Sequence, residues 1–378
     1  MGWQILRKTT KWGMLILHLF FTLLLTVVCY GNEWSDSGNW MISVLTMFTI
    51  FLWVLQFVFF VFWLVAKPIF TLISLLAIVT HWQPMSAVFQ WRVGTSFNQA
   101  KPRSSFRMMT WNVEHFAIRS FRTNPEIRSK MLELVRSYNP DIACFQEMVA
   151  TEDKPKAINY LPVMQKQLGF KYAYYVYERV LDFDQDHHFG MVVFSKTPFI
   201  AQQKMGISKK GQNGLFQSVD FELLGDTFRV FNIHLQSLKF SKNNRAYIEN
   251  PSLNEEEDLQ ESKNILKKLK IGFEKRKLQA DSVRSAIDKS PHPVILCGDF
   301  NDLPNSYAYH KVKGGLVDAF TEAGSGIGHT YSGLFPTLRI DHVFIDPQLE
   351  TVQYYTHQKK LSDHYPVIVD VRKRKLQE

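Results

Sequence analysis

The stretch PVILCGDFND, residues 293–302, decides the fold. Pro293 to Cys297 is an apolar run of strand length that breaks at Gly298 into Asp299, Asn301 and Asp302. Polar residues gathered just past the end of a buried strand lie where sheet proteins build pockets. The same design recurs on both sides. Upstream, Asn112 and Glu114 close a strand over Phe106 to Val113, Glu147 closes one over Asp141 to Gln146, and His234 ends one over Phe228 to Leu235. Glu178 stands at the end of the Phe170 to Tyr177 run. Downstream, Asp341-His342 opens the Ile340 to Ile345 strand, and Asp363-His364 precedes Tyr365 to Val371.

The intervening chain supplies helices and further strands. Ile127, Met131, Leu134, Val135 and Tyr138 share one face of a helix over Pro125 to Tyr138. Phe189 to Phe194 and Leu215 to Leu224 read as strands, with Gly225-Asp226 as a hairpin turn after the second. The charged stretch Asn254 to Asp288 carries apolar residues at helical spacing and predicts one or two amphipathic helices. Many strands without a repeating βαβ period predict an α+β domain over residues 106–372, built from two packed mixed sheets with outer helices.

A different physics governs residues 1–91. Trp12 to Tyr30 and Met41 to Val65 are uncharged and apolar on all sides, each close to or above the ~20 residues that cross a hydrocarbon core. Residues 68–86 form a third candidate span, weakened by His81, Gln83 and Pro84. A polar linker over residues 92–105 follows. Arg7, Lys8 and Lys11 precede the first span, while Gly31 to Trp40 has no Lys or Arg, which puts the N-terminus in the cytoplasm of a multi-pass cell-membrane protein. Three spans then export the C-terminal domain, whereas two leave it cytoplasmic. Arg92, Lys101, Arg103 and Arg107 after the last span favour the cytoplasm, but the expected arrangement is three spans with the domain outside.

The net charge of +9 is dispersed and lacks a polybasic tail, so it fits a domain that approaches phosphates or anionic lipid without demanding nucleic acid. Cys29, Cys144 and Cys297 lie in apolar runs and form neither a disulfide framework nor a zinc set.

Each strand-end residue has an ordinary use in a turn or cap. Together, carboxylates, histidines and asparagines at comparable strand ends suit a reaction on a phosphate. Such a reaction needs an oxygen-ligated hard cation, a base for water and donors for developing charge.

The ordered set TWNV (110–113), QE (146–147), NIHLQS (232–237), GDFND (298–302), RIDHVF (339–344) and SDHYPV (362–367) resembles the endonuclease/exonuclease/phosphatase superfamily over roughly Phe106 to Val371. The N-terminal region is similar to that of its bacterial membrane-anchored members. The resemblance implies a deoxyribonuclease-like four-layered sandwich behind two to three transmembrane helices. It also implies a metal-dependent phosphodiesterase or endonuclease acting on nucleic acid or a small phosphodiester; the membrane tether gives the alternative, a phospholipid or sphingolipid phosphodiesterase or phosphatase at the membrane surface. A remote alternative is a non-catalytic membrane scaffold. By the resemblance, Glu147 is the main ligand of Mg²⁺ or Mn²⁺, with Asn112 beside it and Asp363 completing the shell. Asp299 is the base for the attacking water, and Asn301 holds the phosphoryl oxygen. His364, kept protonated by Asp341, contacts the phosphate, as does His234, which Glu178 orients. The sequence departs from nucleic-acid-cleaving members, which often have an arginine where Asn213, Gly214 and Gln217 stand here, and it lacks the Trp-Cys-Asp-Arg element of phosphoinositide phosphatases near Leu338 to Asp341. The implied partners are the phosphodiester substrate and the lipid bilayer; no protein partner is inferable.

Overall fold

The computed structural model describes residues 2–35, 38–92, 97–118, 123–151, 159–184, 187–206, 214–223, 225–238, 240, 242–249, 255–333 and 338–375. Among them the strands are β1 (Ser105–Asn112), β2 (Ile142–Ala150), β3 (Tyr172–Asp184), β4 (His187–Ser195), β5 (Ala201–Gly206), β6 (Leu215–Leu223), β7 (Asp226–His234), β8 (Val294–Asp299), β9 (Val317–Asp318), β10 (Asp341–Ile345), β11 (Leu349–Thr356) and β12 (Val367–Lys373). They form two six-stranded mixed sheets, ordered β11-β12-β1-β2-β4-β3 and β5-β6-β7-β8-β10-β9. Within each sheet one central pair is parallel, β1 with β2 and β7 with β8.

The strand alternation builds four layers. Phe106, Met108, Ile142 and Cys144 of the first sheet face Val219, Val230, Ile295 and Val343 of the second. Met109, Trp111, Phe145 and Ile368 turn the other way, onto Met131, Leu134 and Val135 of the helix Ile127–Tyr138. Phe231, Ile233, Leu296 and Phe344 face Ala280 and Val283 of the helix Glu255–Asp288 and Val312 of the helix Tyr307–Lys313. Polar clamps lie among these apolar layers. Gln146 Nε2 donates to Asn232 Oδ1 at 2.6 Å across the two sheets, and Arg107 grips Asp370 through two bonds of 2.7 and 2.8 Å between β1 and β12. Both pairs are buried, so each partner satisfies what would otherwise be a desolvated polar group.

The amphipathic stretch is one 34-residue helix, within the expected one or two. Other elements depart from the sequence reading. β5 is almost wholly exposed at a sheet edge, where no buried face leaves a period-2 signal. β11 is broken by a bulge between Thr351 and Gln353, which interrupts its alternation. The hairpin register pairs Leu223 with Asp226, so Asp226 belongs to the second strand rather than to the turn, and Gly225 takes the left-handed conformation.

Two N-terminal helices, Arg7–Trp34 and Trp40–Ala66, are long and apolar enough to cross a membrane. Pro68–Thr80 and Trp82–Val88 form a third, shorter pair bent by 64° at His81. The long helices run antiparallel: Leu15 packs with Phe59 and Trp63 at one end, and Leu25 and Cys29 with Leu52 and Trp53 toward the other. Their few polar side chains meet inside the bundle. His18 bonds Gln56 at 3.1 Å and Ser74 at 3.2 Å and accepts Trp63 Nε1–H at 3.0 Å, while His81 bonds Thr26 at 2.9 Å. Polar groups in hydrocarbon need such internal partners.

Candidate active site

Both sheets deliver side chains to one edge of the sandwich. The first contributes Asn112, Glu147, Asp363 and His364, and the second His234, Asp299, Asn301 and Asp341. Strand register sets the second group: Asp299 lies beside His234 on β7 and beside Asp341 on β10.

Asp299 is the centre. It is fully buried at the end of β8, where Gly298 (φ +141°) brings its α-carbon within reach of the Ile233 backbone, an approach that an added Cβ would block at 2.0 Å. Asn112 Nδ2 donates to Asp299 Oδ2 at 3.0 Å, and so does Asn301 Nδ2 at 3.0 Å. The Asn301 backbone N–H donates to Oδ1 at 2.7 Å, a geometry made by its left-handed φ of +50°. Asn301 Nδ2 also reaches the Leu235 carbonyl at 3.0 Å, so its amide is engaged in holding the loop. His234 Nε2 stands 3.5 Å from Asp299 and 3.8 Å from Glu147.

His364 is buried and leans on Asp341, Nδ1 to Oδ2 at 2.9 Å, which leaves Nε2 facing Asp299 at 3.7 Å. Burial works against its charged form, but the carboxylates of Asp341 and Asp299 outweigh burial and hold the imidazole well above its ordinary pKa. Burial lifts Asp341 to about 6, so the pair carries a protonated imidazole and an ionised carboxylate near neutrality. His342, its sequence neighbour, points to the opposite face, onto Phe300 and Tyr309. It receives Arg339 there at 2.9 Å, and burial followed by that guanidinium drives it down to about 3.

Glu147 does not close its strand as the sequence suggested. β2 continues to Ala150, and Glu147 sits in a bulge where the pairing with β4 skips between Phe145 and Met148. Its left-handed φ of +53° turns the carboxylate out of the sheet, 27% exposed. Burial would raise this acid, but the bond from His115 and the charges of His234, His115 and His364 overcome burial and hold it at about 2.

Two more residues join the site: Glu114, which the sequence marks only as a strand end without a role, and His115, which it does not mark. His115 Nδ1 lies 3.0 Å from Glu147 Oε2 with its ring on Phe189, and Glu114 Oε2 accepts the Asp363 backbone N–H at 3.1 Å. Both belong to the turn Glu114–Ala117, four successive non-glycine residues at φ of +44° to +60°. L-residues resist this handedness by ~1–2 kcal/mol each, and strain of that kind gathers at functional sites. The turn has no glycine or asparagine to announce it, so only the motif TWNV ahead of it hinted at its importance. Glu178 lies in β3, and its side chain falls outside the described residues.

The donor set fits a hard divalent cation. Burial raises Glu114 and Asp363, and neighbouring carboxylates push each further in the same direction, Asp363 and Glu147 acting on Glu114, Glu147 and Asp299 on Asp363. Oxygen-rich clusters that repel one another in this way are relieved by Mg²⁺ or Mn²⁺. Asp299, Asp341 and His364 bring ligand atoms within 4.8 Å of one another, but His364 is a donor there, so that trio is better described as a hydrogen-bonded relay than as a cation cage.

Comparison with known proteins agrees with this geometry. Residues 109–364 match the family model described as endonuclease/exonuclease/phosphatase family, and residues 11–88 match one described as a domain of unknown function. The uncharacterized protein YbhP of Escherichia coli K12 is 24% identical over 287 residues, covering 71% of this chain and 96% of YbhP. An endonuclease/exonuclease/phosphatase structure from Beutenbergia cavernae superposes with a TM-score of 0.53 at 19% identity, covering 72% of each chain. A family protein from Bacteroides thetaiotaomicron gives 0.52 at 17% identity, covering 71% of this chain and 97% of its own. With the family model spanning more than half of its length, the chain belongs to the endonuclease/exonuclease/phosphatase family, whose members hydrolyse phosphoester bonds.

Proposed function

We propose that the protein is a membrane-anchored, divalent-metal-dependent hydrolase of phosphodiester bonds. One observation carries this reading: the buried Asp299 carboxylate is held by two asparagine amides between two histidines, beside the oxygen cluster of Glu147, Asp363 and Glu114. Glu147, Asn112 and Asp363 would hold Mg²⁺ or Mn²⁺, which when bound polarises the phosphoryl oxygen and neutralises charge developing on it. Asp299 accepts the proton of the attacking water. Asn112 and Asn301 fix its orientation, and one Asn301 bond must be released if that amide is to meet the phosphoryl oxygen. His364, charged against Asp341, presents Nε2–H to the phosphate, and His234 serves the leaving oxygen. The named site contains no lysine or arginine, which suits a singly charged diester better than a doubly charged monoester.

The anchor is proposed to make three crossings, with the N-terminus and Lys67 on the cytoplasmic side and the catalytic domain on the other. Arg7, Lys8, Lys11 and Lys67 gather at the far end of the bundle, whereas Glu33 lies in the last turn of the first helix at the domain end. Hydrolysis of bis(p-nitrophenyl) phosphate by the detergent-solubilised full chain tests the chemistry. Activity that EDTA abolishes and Mg²⁺ or Mn²⁺ restores is expected; activity indifferent to EDTA would refute it.

A further inference from the structure

The membrane helices do not merely tether the catalytic domain; their ends are bonded to the loops that carry the active site. Asn32, two residues before the end of the first long helix, donates to the Asn305 carbonyl at 3.0 Å, and Ser43 braces Asn32 at 3.2 Å. Asn305 in turn donates to the Pro84 carbonyl of the broken third segment at 3.2 Å. Arg339, buried against Asp318, reaches the Ala87 carbonyl at 2.5 Å, and Gln90 pairs with Gly326 as an antiparallel bridge. These contacts flank the site on two sides. Asn305 is four residues past Asn301, and Arg339 is two residues before Asp341.

The membrane level of these contacts follows from the helices. The apolar run ends near Tyr30, and Trp34, Trp82 and Trp91 are exposed at the domain end, the belt that tryptophan forms among lipid head groups. Asn32 therefore lies at head-group depth, and so does Asn305, which it holds. Four residues span at most ~14 Å, which bounds the distance from Asn305 to Asn301. The head-group zone itself is ~5–8 Å deep on each face.

We propose that the substrate is the phosphodiester of a lipid head group in the leaflet on which the domain is seated. The proposal rests on the phosphodiesterase reading above and adds the substrate class. Water adds to phosphorus, one P–O ester bond breaks, and the departing alcohol leaves with a proton, so that a diester and water give a monoester and an alcohol.

The test uses the full chain reconstituted in vesicles of equal parts phosphatidylethanolamine, phosphatidylglycerol, phosphatidylinositol and sphingomyelin with Mg²⁺. Each lipid phosphorus is followed by ³¹P NMR, and bis(p-nitrophenyl) phosphate is assayed in parallel. The expected result is loss of at least one lipid signal, absent in Asp299→Asn. In Asn305→Ala, lipid hydrolysis should fall about tenfold while soluble diester hydrolysis is retained. Hydrolysis of the soluble diester with every lipid signal intact overturns the lipid assignment and leaves the phosphodiesterase reading standing. Failure of both substrates overturns the phosphodiesterase reading, and the lipid assignment falls with it. Equal loss of both activities in Asn305→Ala would show that the seat supports the fold alone and would overturn the positioning claim.

Discussion

His115 illustrates how the site depends on single residues that no motif marks. Its Nδ1 lies 3.0 Å from Oε2 of Glu147, the proposed metal ligand, and partners that orient a metal ligand typically contribute ~10–100-fold in affinity. His115→Ala should weaken Mn²⁺ binding by about that factor, measured by electron paramagnetic resonance on the full chain, whereas His115→Asn, which keeps a donor at the same reach, should recover most of it. An unchanged Mn²⁺ affinity in His115→Ala would sink this role. His342 gives a prediction of a different kind. Its folded-state pKa of about 3 lies below the ordinary ~6.5, so the unfolded chain takes up a proton that the folded chain refuses. Stability is therefore full above pH ~6.5 and falls as pH drops toward 3. His342→Gln, able to accept from Arg339 and donate to the Asp302 carbonyl, should flatten the slope of Tm against pH between 5 and 7. A slope equal to that of the wild-type chain would contradict the assignment. At this scale the sequence made Asn112, His234, Asp299, Asn301, Asp341, Asp363 and His364 legible because each sits beside a strand with a strong apolar signature. Glu114 was legible only as a strand end and His115 not at all, because a left-handed turn built from ordinary residues leaves no trace in composition.

Among the elements, the helix Glu255–Asp288 connects the outer layer to the site. Arg276 donates to Asp302 Oδ2 at 3.1 Å and to the Gln236 carbonyl at 3.0 Å, both partners lying just past a site strand, GDFND in one case and NIHLQS in the other. Both members of the ion pair are buried, and breaking such a pair by removing one partner costs ~3–5 kcal/mol because the other charge stays desolvated. Arg276→Leu should lower Tm by several degrees in a thermal melt, and a shift within experimental error would show that Asp302 has other support. The periodicity of the helices and the long buried strands was readable, since a strand packed on both faces or a helix packed on one imprints its contacts on the chain. β5, β9 and β11 were not: one is exposed, one is two residues long, and one carries a bulge. The bulge at Glu147 was missed for the same reason, since a strand reading stops at the first charge while the backbone pairing continues to Ala150.

Across the whole molecule, the four layers and the N-terminal helices are joined by hydrogen bonds through Asn32, Asn305, Ala87 and Arg339. Three crossings predict that protease added to intact cells reaches the catalytic domain; protection of the domain there, with digestion after lysis, would indicate two crossings and a cytoplasmic site. The central claim is that residues from both sheets make a single metal-dependent hydrolytic centre. The most direct test is the Mg²⁺-dependent rate of bis(p-nitrophenyl) phosphate hydrolysis by the folded full chain compared with Glu147→Ala of the first sheet and Asp299→Asn of the second. Each variant should keep its Tm near that of the wild-type chain and lose ~10²–10⁴-fold in kcat; wild-type rates in either folded variant would contradict the claim.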